Sequence, residues 1–547
     1  MAVAKSGACS TKTTCPYCGV GCGVRVSVQD HDARLIHIEG DETHPANFGR
    51  LCSKGSALAE TVALDGRLLE PELNGERVSW DLALDTVAQK IRDTVARYGP
   101  ESVAFYLSGQ LLTEDYYVAN KLMKGFIGSA NVDTNSRLCM ASSVAGHKRA
   151  FGSDTVPVSY EDLETADLVL LTGSNLAWCH PVLFQRLRAA KEARPNMKIV
   201  VIDPRKTDTC DIADLFLPIK SGTDSVLFNG LLLYLASNGA CDYDYLEKSV
   251  ENYSAALNAA RVMSPNILSV ATQCQLKPDD VGKLFQWFLN TPKTVTVYSQ
   301  GVNQSIYGTD KVNSIINCHL LTERIGKPSQ GPFSVTGQPN AMGGREVGGL
   351  ANQLAAHMDF DTASVERVER FWQASNITRK PGLKAVDMFD AIDRGDIKFL
   401  WVMATNPAVS MPNADKVAKA IAKCEFVVVS DCVQHTDTLA LAHLKLPATT
   451  WGEKSGTVTN SERRISRQRA FLAPPKNAKH DWWMVCEVAK RLGFRDAFSY
   501  TNVADIFKEH AQLSSFENFG TRDFDIGGLS ALCLLYTSDA ADEEDSV

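Results

Sequence analysis

Four cysteines near the N-terminus constrain the fold of this chain more than any other feature. Cys15, Cys18 and Cys22 lie in one short loop that contains glycine, and Cys52 follows after a gap of 29 residues. Three thiolates from one loop and a fourth from a distance can surround one compact metal centre, and glycine permits the tight turns of such a loop. Thiolates favour iron–sulfur clusters and zinc, but zinc sites more often have two separated Cys-x-x-Cys pairs. The spacing therefore predicts a [4Fe–4S] cluster, with structural zinc or unligated core cysteines as the alternative.

The composition indicates a globular protein with several domains. The chain has 547 residues, more than one typical domain. Its formal net charge of -8 argues against a nucleic-acid-binding protein, which is usually basic. The 15 cysteines show no regular disulfide spacing, which indicates metal-binding thiols in a reducing compartment. Residues 1–14 have neither an apolar signal core nor paired arginines, and no stretch is long and apolar enough to span a membrane. We therefore expect a soluble, cytoplasmic protein.

Beyond the cysteine loop, apolar strands alternate with amphipathic helices. The predicted strands end in polar or glycine-containing loops at residues 108–110, 172–175, 203–205, 300–304, 405–407 and 430–431. This alternation predicts doubly wound parallel sheets, in which ligands bind outside the carboxyl ends of the strands. Any one of these loops is most simply interpreted as a plain turn between strand and helix. The chain has no complete G-x-G-x-x-G or P-loop motif, so the pattern indicates a long cofactor with several phosphates and not a single NAD or ATP site.

The cysteine motif followed by Lys54-Gly55 resembles the N-terminus of the molybdopterin (bis-guanine dinucleotide) oxidoreductases, and similarity continues to about Gly528. Within that family the chain is most similar to the catalytic subunits of assimilatory nitrate reductases. The resemblance implies an α/β fold, with a small [4Fe–4S] module and Rossmann-like domains of the dimethyl sulfoxide reductase type. The domains it implies are the cluster module at 1–63, one molybdopterin-binding domain at 64–140 and 335–532 with 444–480 returning towards that module, and a second at 141–334. The acidic residues 533–547 look non-native, and the C-terminal barrel domain of the family is expected to be missing.

The resemblance also implies which residues contact the molybdenum bis(molybdopterin guanine dinucleotide). These are Lys54, Gln110, Asn135, Cys139, Thr172, Gly173, Ser174, Asn175, Asp203, Arg205, Thr207, Gly222, Asp224, Gln304, Asn406, Ser430, Asp431, Lys454 and Asp481. Asp224 and Asp431 can accept hydrogen bonds from the N–H edge of guanine, and Arg205 and Lys454 can pair with phosphates. Lys54 would lie between the cluster and a pterin on the electron route, although a solvated surface lysine is the simpler interpretation.

A lone cysteine beside leucine and methionine is more often a core residue than a ligand. In the resembled family, however, the position of Cys139 supplies the molybdenum ligand. Met140 follows it, as in nitrate reductases, whereas formate dehydrogenases usually have histidine there. The glycine-rich residues 336–349 are either a flexible loop or, as the resemblance implies, a wall of the substrate cavity. In that wall Met342 would line the cavity, and the guanidinium of Arg345 would hold the oxyanion.

The resemblance thus implies an enzyme that transfers an oxygen atom from nitrate and releases nitrite, in nitrate assimilation. Electrons would come from ferredoxin, flavodoxin or an NADH-dependent partner subunit, and would pass through the [4Fe–4S] cluster. No nucleic acid and no membrane is expected as a partner. Two alternatives stay open. One is a formate dehydrogenase of the same family, and the other is an iron–sulfur electron-transfer subunit that has lost molybdenum.

Overall fold

Two parallel sheets flanked by helices form most of the protein, and the structure, a computed structural model, describes residues 10–530. The acidic residues 533–547 lie outside the described part. The strands are β1 (Ser10–Thr14), β2 (Gly23–Asp30), β3 (Leu35–Gly40), β4 (Glu72–Leu73), β5 (Glu76–Arg77), β6 (Val103–Leu107), β7 (Val132–Thr134), β8 (Leu168–Thr172), β9 (Lys198–Ile202), β10 (Leu215–Leu217), β11 (Thr294–Tyr298), β12 (Gly331–Ser334), β13 (Phe399–Met403), β14 (Phe426–Asp431), β15 (Leu444–Pro447), β16 (Gly456–Thr459) and β17 (Ile465–Gln468).

The helices lie between the strands and on both faces of the parallel sheets. They are α1 (Ser53–Ser56), α2 (Trp80–Tyr98), α3 (Thr113–Lys121), α4 (Arg137–Phe151), α5 (Tyr160–Thr165), α6 (Leu176–Cys179), α7 (Pro181–Ala193), α8 (Asp224–Ser237), α9 (Tyr243–Ser249), α10 (Tyr253–Met263), α11 (Ile267–Cys274), α12 (Pro278–Asn290), α13 (Gln300–Asn303), α14 (Gly308–Leu321), α15 (Ala341–Glu346), α16 (Thr362–Trp372), α17 (Ala385–Arg394), α18 (Pro407–Ser410), α19 (Ala414–Lys423), α20 (Asp481–Arg491) and α21 (Val503–Ser515). No helix within residues 10–530 is both long and apolar enough to cross a bilayer.

The loop with three cysteines joins two strands of a small antiparallel sheet in the order β1-β2-β3. Strands β1 and β2 form a hairpin, and the Cys15 N–H closes its loop by donating to the Cys22 carbonyl at 2.8 Å. Gly21 has a φ of 68°, a left-handed conformation that favours glycine. Along β2, Val24 and Val26 point into the core while their neighbours face outward, which is the alternation expected of a half-buried strand.

The first parallel sheet has the order β5-β4-β15-β14-β13-β6-β7, with β4 and β5 as an antiparallel edge. The chain runs from β6 outward to β7, and returns on the other side of β6 as β13, β14 and β15. The order of the strands therefore reverses between β6 and β13, which is where such sheets bind ligands. The predicted helix after Ser79 forms as α2, and the Leu82 N–H donates to the Ser79 hydroxyl oxygen at 3.2 Å.

The second parallel sheet has the order β10-β9-β8-β11-β12, and all its pairings are parallel. Its strand order reverses between β8 and β11, where Tyr298 pairs with Thr172. The strands predicted from apolar runs are buried strands of the two sheets, so the prediction of a doubly wound α/β fold is confirmed. The division of the chain into domains at the predicted boundaries stays a prediction.

His510 on α21 is a buried core histidine whose two ring nitrogens have no hydrogen-bond partner within residues 10–530. Its ring lies 5.6 Å from that of Tyr117 and 5.8 Å from that of Phe524. Burial, together with the nearby His357, lowers the pKa of His510 to about 3. As the pH falls below about 6.5, the histidine takes up a proton in the unfolded chain but stays neutral in the folded protein. Its contribution to the free energy of unfolding is therefore fully present above that pH and is lost as the pH falls below it.

We expect His510→Phe to remove part of the acid sensitivity of the fold. For this one histidine, the loss of unfolding free energy between pH 7 and pH 5 amounts to ~2 kcal/mol. Urea midpoints at the two pH values should therefore differ less in the variant than in the wild type. The exposed His31, replaced by phenylalanine, is the control, and its midpoints should follow those of the wild type. Equal acid sensitivity of His510→Phe and wild type would contradict this account.

Candidate active site

The four predicted cluster cysteines stand together below the surface. Cys15 and Cys22 are buried, and Cys18 and Cys52 are half-buried. Burial, together with the neighbouring thiols, raises the pKa of Cys15 to about 12 and that of Cys18 to about 11. Such thiols lose their protons readily only when a metal centre supplies the compensating positive charge. No three Cys, His, Asp or Glu side chains of residues 10–530 converge at the spacing of a single metal ion. Four neighbouring thiols are the ligand set of a [4Fe–4S] cluster.

Lys54 lies beside this loop, on α1 directly after the fourth cysteine. Its side chain is exposed, and its ammonium lies 5.8 Å from the centre of the Tyr17 ring. Its charge lowers the pKa of the nearby Cys18 thiol, although burial dominates there and raises it. The buried His180 senses the same charge, and burial with Lys54 lowers its pKa to about 4. The charge of Lys54 therefore acts both on the cysteine loop and on His180, which follows β8 and α6 of the second sheet.

Cys139 lies where the two parallel sheets meet. It stands in the first turn of α4, which follows β7 of the first sheet. Its sulfur accepts a hydrogen bond from Nε2 of Gln300 at 3.0 Å, and Gln300 follows β11 of the second sheet. Burial raises the pKa of Cys139, against the lowering effects of Gln300, of the Gly337 N–H and of the Arg345 charge.

Residues 336–349 are a fixed, buried segment and not a flexible loop. They carry the short helix α15, all of whose residues are buried. A Cβ at Gly344 would lie 2.9 Å from the Tyr116 ring, so only glycine allows this close packing. At Gly337 a Cβ would lie 2.8 Å from Nε2 of Gln300 and 3.6 Å from the sulfur of Cys139. Glycine at this position thus lets the segment approach the thiol.

Arg345 already has a carboxylate partner in the protein. Its Nε donates to Oδ2 of Asp154 at 2.7 Å, its Nη2 donates to the other oxygen, and both side chains are buried. Its Nη1 lies 3.0 Å from the sulfur of Met342. Asp154 thus takes up two of the donor groups of Arg345 in a buried ion pair. The role of Arg345 towards substrate stays a prediction.

The cysteine loop and Cys139 contact the same glycine. The Gly19 N–H donates to the Gly337 carbonyl at 3.1 Å, and the N–H of Gly337 points to the sulfur of Cys139. The Ser461 N–H donates to the Gly19 carbonyl at 2.9 Å, which brings the segment around β16 and β17 against the cysteine loop. The loop expected to hold the cluster and the thiol expected to bind molybdenum are thus separated by a single residue.

Many of the predicted cofactor residues lie at or after the carboxyl ends of strands in the two parallel sheets. Four of them bear buried side-chain oxygens that have no hydrogen-bond partner within the described residues: Thr172, Ser174, Thr207 and Asp481. Three of these four follow β8 or β9 of the second sheet. Buried polar atoms are rarely left without a partner in a folded protein. Their presence fits a cofactor rich in donor and acceptor groups at this edge.

Other predicted cofactor residues have partners inside the protein. Asp224 pairs with Lys311 at 2.7 Å. Lys454 pairs with Asp481 at 2.9 Å and with Asp115 at 3.3 Å, and all three side chains are buried. Two carboxylates thus accompany Lys454 in the protein, and its pairing with a phosphate stays a prediction. Burial raises the pKa of Asp481 to about 6, against the opposing effect of Lys454.

The remaining predicted cofactor residues differ in their exposure and in their hydrogen bonds within the protein. Gln110 and Arg205 are exposed, as is Gly222. Several others hold neighbouring loops by hydrogen bonds: Asn135 to Gly109, Asn175 to Thr209, Asp203 to Arg205, Gln304 to Leu138, Asn406 to Thr438, Ser430 to Trp401 and Asp431 to Val433. Their contacts with cofactor stay predictions. Met140 is buried, and its sulfur lies 3.4 Å from Nδ2 of Asn303.

Three residues near Cys139 were missed from the sequence. From the sequence, Gln304 was predicted as a cofactor contact and Gln300 was not singled out. Gln300 lies in the same loop and is its first polar side chain that can reach the thiol. The Nε2–H of His180 donates to the Thr336 carbonyl at 2.8 Å, and its Nδ1 has no partner within residues 10–530. Asp154 gave no signal in the sequence, because its importance arises only from its distance to Arg345.

Two sequence families match the chain. The family described as "Molybdopterin oxidoreductase Fe4S4 domain" matches residues 9–64, and the family described as "Molybdopterin oxidoreductase" matches residues 67–491. The chain belongs to the molybdopterin oxidoreductases. This membership confirms the predicted cofactors, a [4Fe–4S] cluster and a molybdenum bis(molybdopterin guanine dinucleotide).

Individual relatives of this oxidoreductase carry the name nitrate reductase. The chain is 55% identical to "Nitrate reductase" of Klebsiella oxytoca over 95% of its own length and 59% of that protein. It is 50% identical to "Nitrate reductase" of Shewanella frigidimarina over 95% of its own length and 56% of that protein. The chain thus spans less than two thirds of the length of these relatives. Among solved structures, acetylene hydratase from Pelobacter acetylenicus has a TM-score of 0.76 at 20% identity, covering 92% of this chain and 71% of the other, and shares the fold.

Proposed function

We propose that this molybdopterin oxidoreductase is the catalytic part of a nitrate reductase that removes one oxygen atom from nitrate and releases nitrite. The observation that carries the proposal is the position of Cys139. It lies at the junction of both sheets, within reach of two N–H donors, and it is followed by the buried Met140. The relatives named nitrate reductase support the same substrate.

Each part of the site has a task in this reaction. When bound, the molybdenum cofactor supplies the oxygen-atom acceptor and the two electrons of each turnover. Cys139 would hold the metal, and Cys15, Cys18, Cys22 and Cys52 would hold the cluster. Electrons would pass by Lys54, which lies beside the cysteine loop.

The buried side chains around Arg345 set the charge of the cavity. Arg345 contributes a positive field at Cys139, and Met342 packs against its guanidinium. Glu346 hydrogen-bonds to the Thr459 hydroxyl at 2.8 Å, and burial raises its pKa to about 7. The carboxyl group of Glu346 is therefore partly protonated near neutral pH.

The physiological setting belongs to the same proposal. We infer an assimilatory enzyme in the cytoplasm, supplied with electrons by ferredoxin, flavodoxin or an NADH-dependent reductase subunit. All 13 cysteines of residues 10–530 are free thiols, which suits a reducing compartment.

Metal analysis followed by a viologen-linked assay tests the proposal. The chain is expressed anaerobically in a host that makes the cofactor, and iron and molybdenum are measured per polypeptide. We expect about four irons and one molybdenum, with reduction of nitrate and no oxidation of formate. Formate oxidation without nitrate reduction would replace nitrate reductase by formate dehydrogenase. Iron without molybdenum would favour the molybdenum-free electron-transfer alternative.

A further inference from the structure

The side chain of Gln300 makes the hydrogen bond to Cys139 that joins the two sheets. Its Nε2 lies 3.0 Å from the sulfur, within the range of an N–H···S hydrogen bond. Gln300 begins α13, directly after β11, at the position where the strand order of the second sheet reverses. A residue of one sheet thus contacts the predicted metal ligand of the other.

This contact is part of a larger connection between α13 and α4. The hydroxyls of Ser142 and Ser143 on α4 donate to the carbonyl and the side-chain oxygen of Asn303, at 2.7 and 2.6 Å. Nε2 of Gln304 donates to the Leu138 carbonyl at 3.0 Å. Several hydrogen bonds therefore fix α13 relative to the turn that carries Cys139, so the distance between Gln300 and the sulfur is set by the fold.

The orientation of the Gln300 amide has a physical cause. The neighbouring Ser299 is buried, and its hydroxyl lies within hydrogen-bond distance of Oε1 of Gln300. A metal-bound thiolate has no proton to give, so only the nitrogen end of the amide can make a favourable contact with it. The single proton of the Ser299 hydroxyl has two acceptors within reach, Oε1 of Gln300 and the Val335 carbonyl at 3.0 Å. When it is donated to Oε1, the amide nitrogen faces the sulfur.

We propose that Gln300 is a positioning residue that hydrogen-bonds to the Cys139 thiolate and thereby raises the reduction potential of the bound molybdenum. A hydrogen bond to a ligand sulfur withdraws electron density from it, and the bond is stronger in the reduced, more electron-rich state. The reduced state is therefore stabilised relative to the oxidised state. The inference rests on the proposed role of Cys139 as molybdenum ligand, but not on nitrate being the substrate.

Gln300→Leu in the molybdenum-loaded chain tests the inference. Leucine has a similar size but no donor, so we expect the midpoint potential of molybdenum to fall. The expected change is about tenfold in the one-electron equilibrium, which corresponds to ~59 mV. The turnover rate with nitrate should fall by roughly 10–100-fold, as for other outer-shell partners of metal ligands. An unchanged potential in a variant that retains molybdenum would overturn the inference.

Ser299→Ala separates positioning from general loss of packing. If Ser299 acts by orienting the amide, Ser299→Ala should shift the potential in the same direction by a smaller amount. The double variant with Gln300→Leu should then match Gln300→Leu alone, because the effects of coupled residues do not add. Additive shifts would mean that the two residues act separately, and would contradict the proposed orientation.

Gln468→Leu is the matched control. Gln468 is another buried amide, and it donates to the Lys454 carbonyl at 3.2 Å and not to a sulfur. The midpoint potential of molybdenum in Gln468→Leu should equal that of the wild type. Loss of molybdenum from Gln300→Leu but not from Gln468→Leu would support the inference, and equal loss from both would overturn it. A wild-type chain that holds molybdenum but does not reduce nitrate would refute the proposed substrate and leave the comparison of potentials valid. A wild-type chain without molybdenum would refute both the proposed function and the inference about Gln300.

Discussion

Cys139→Ala is expected to abolish nitrate reduction and molybdenum binding while leaving about four irons per chain. Alanine removes the sulfur at the junction of the sheets. Two N–H donors point to this sulfur, and the charge of Arg345 acts on it. Loss of a metal ligand should cost more than the roughly 10–100-fold that follows from loss of an outer-shell partner. The cysteine loop is a separate hairpin between β1 and β2, so its cluster should survive the change.

Measurement of both metals and of activity in one preparation checks this prediction. Iron and molybdenum are quantified by mass spectrometry, and nitrate reduction by a viologen-linked assay. Cys179→Ala serves as the control, because Cys179 is an exposed thiol that neither proposed metal centre uses. Activity of Cys139→Ala near the wild-type level would exclude this cysteine as the ligand, whatever the substrate.

The sequence was sufficient to predict the features that depend on local patterns. Apolar runs ending in polar loops predicted the strands of both sheets, since a strand buried on both faces must be apolar throughout. Ser79 predicted the start of α2, since its hydroxyl oxygen accepts from the helix backbone. The cysteine spacing predicted the cluster, since three of the thiols share one hairpin loop.

The features that were missed depend on distances between remote parts of the chain. Lys454 and Asp224 have the right chemistry for phosphate and guanine, but the sequence did not show that they also pair with Asp481, Asp115 and Lys311. Periodicity does not show which charged side chains will pair across helices that are far apart in sequence. The contact of Gln300 with Cys139 joins residues from different sheets, so it follows from the packing of the sheets and not from either segment.

Asp154→Asn is expected to be the most destabilising single change near the site. The Arg345 guanidinium holds the pKa of the Asp154 carboxyl at about 2, even though burial alone would raise it. Asparagine keeps the shape of the side chain but removes its charge, which leaves the buried guanidinium without a carboxylate partner in this ion pair. Breaking a buried ion pair from one side costs about 3–5 kcal/mol of unfolding free energy. The urea midpoint of the variant at pH 7 should fall accordingly.

A double variant and a variant of an exposed ion pair decide whether the loss of unfolding free energy comes from the unpaired charge. Asp154→Asn combined with Arg345→Gln should be more stable than Asp154→Asn alone, because removing both charges avoids an isolated buried cation. Asp310→Asn breaks the exposed pair of Asp310 with Arg149, which are 2.8 Å apart, and should cost less than about 1 kcal/mol. Equal losses for the buried and the exposed pair would show that solvent screens Arg345, and the positive field assigned to it at Cys139 would then be too weak to act on a bound anion.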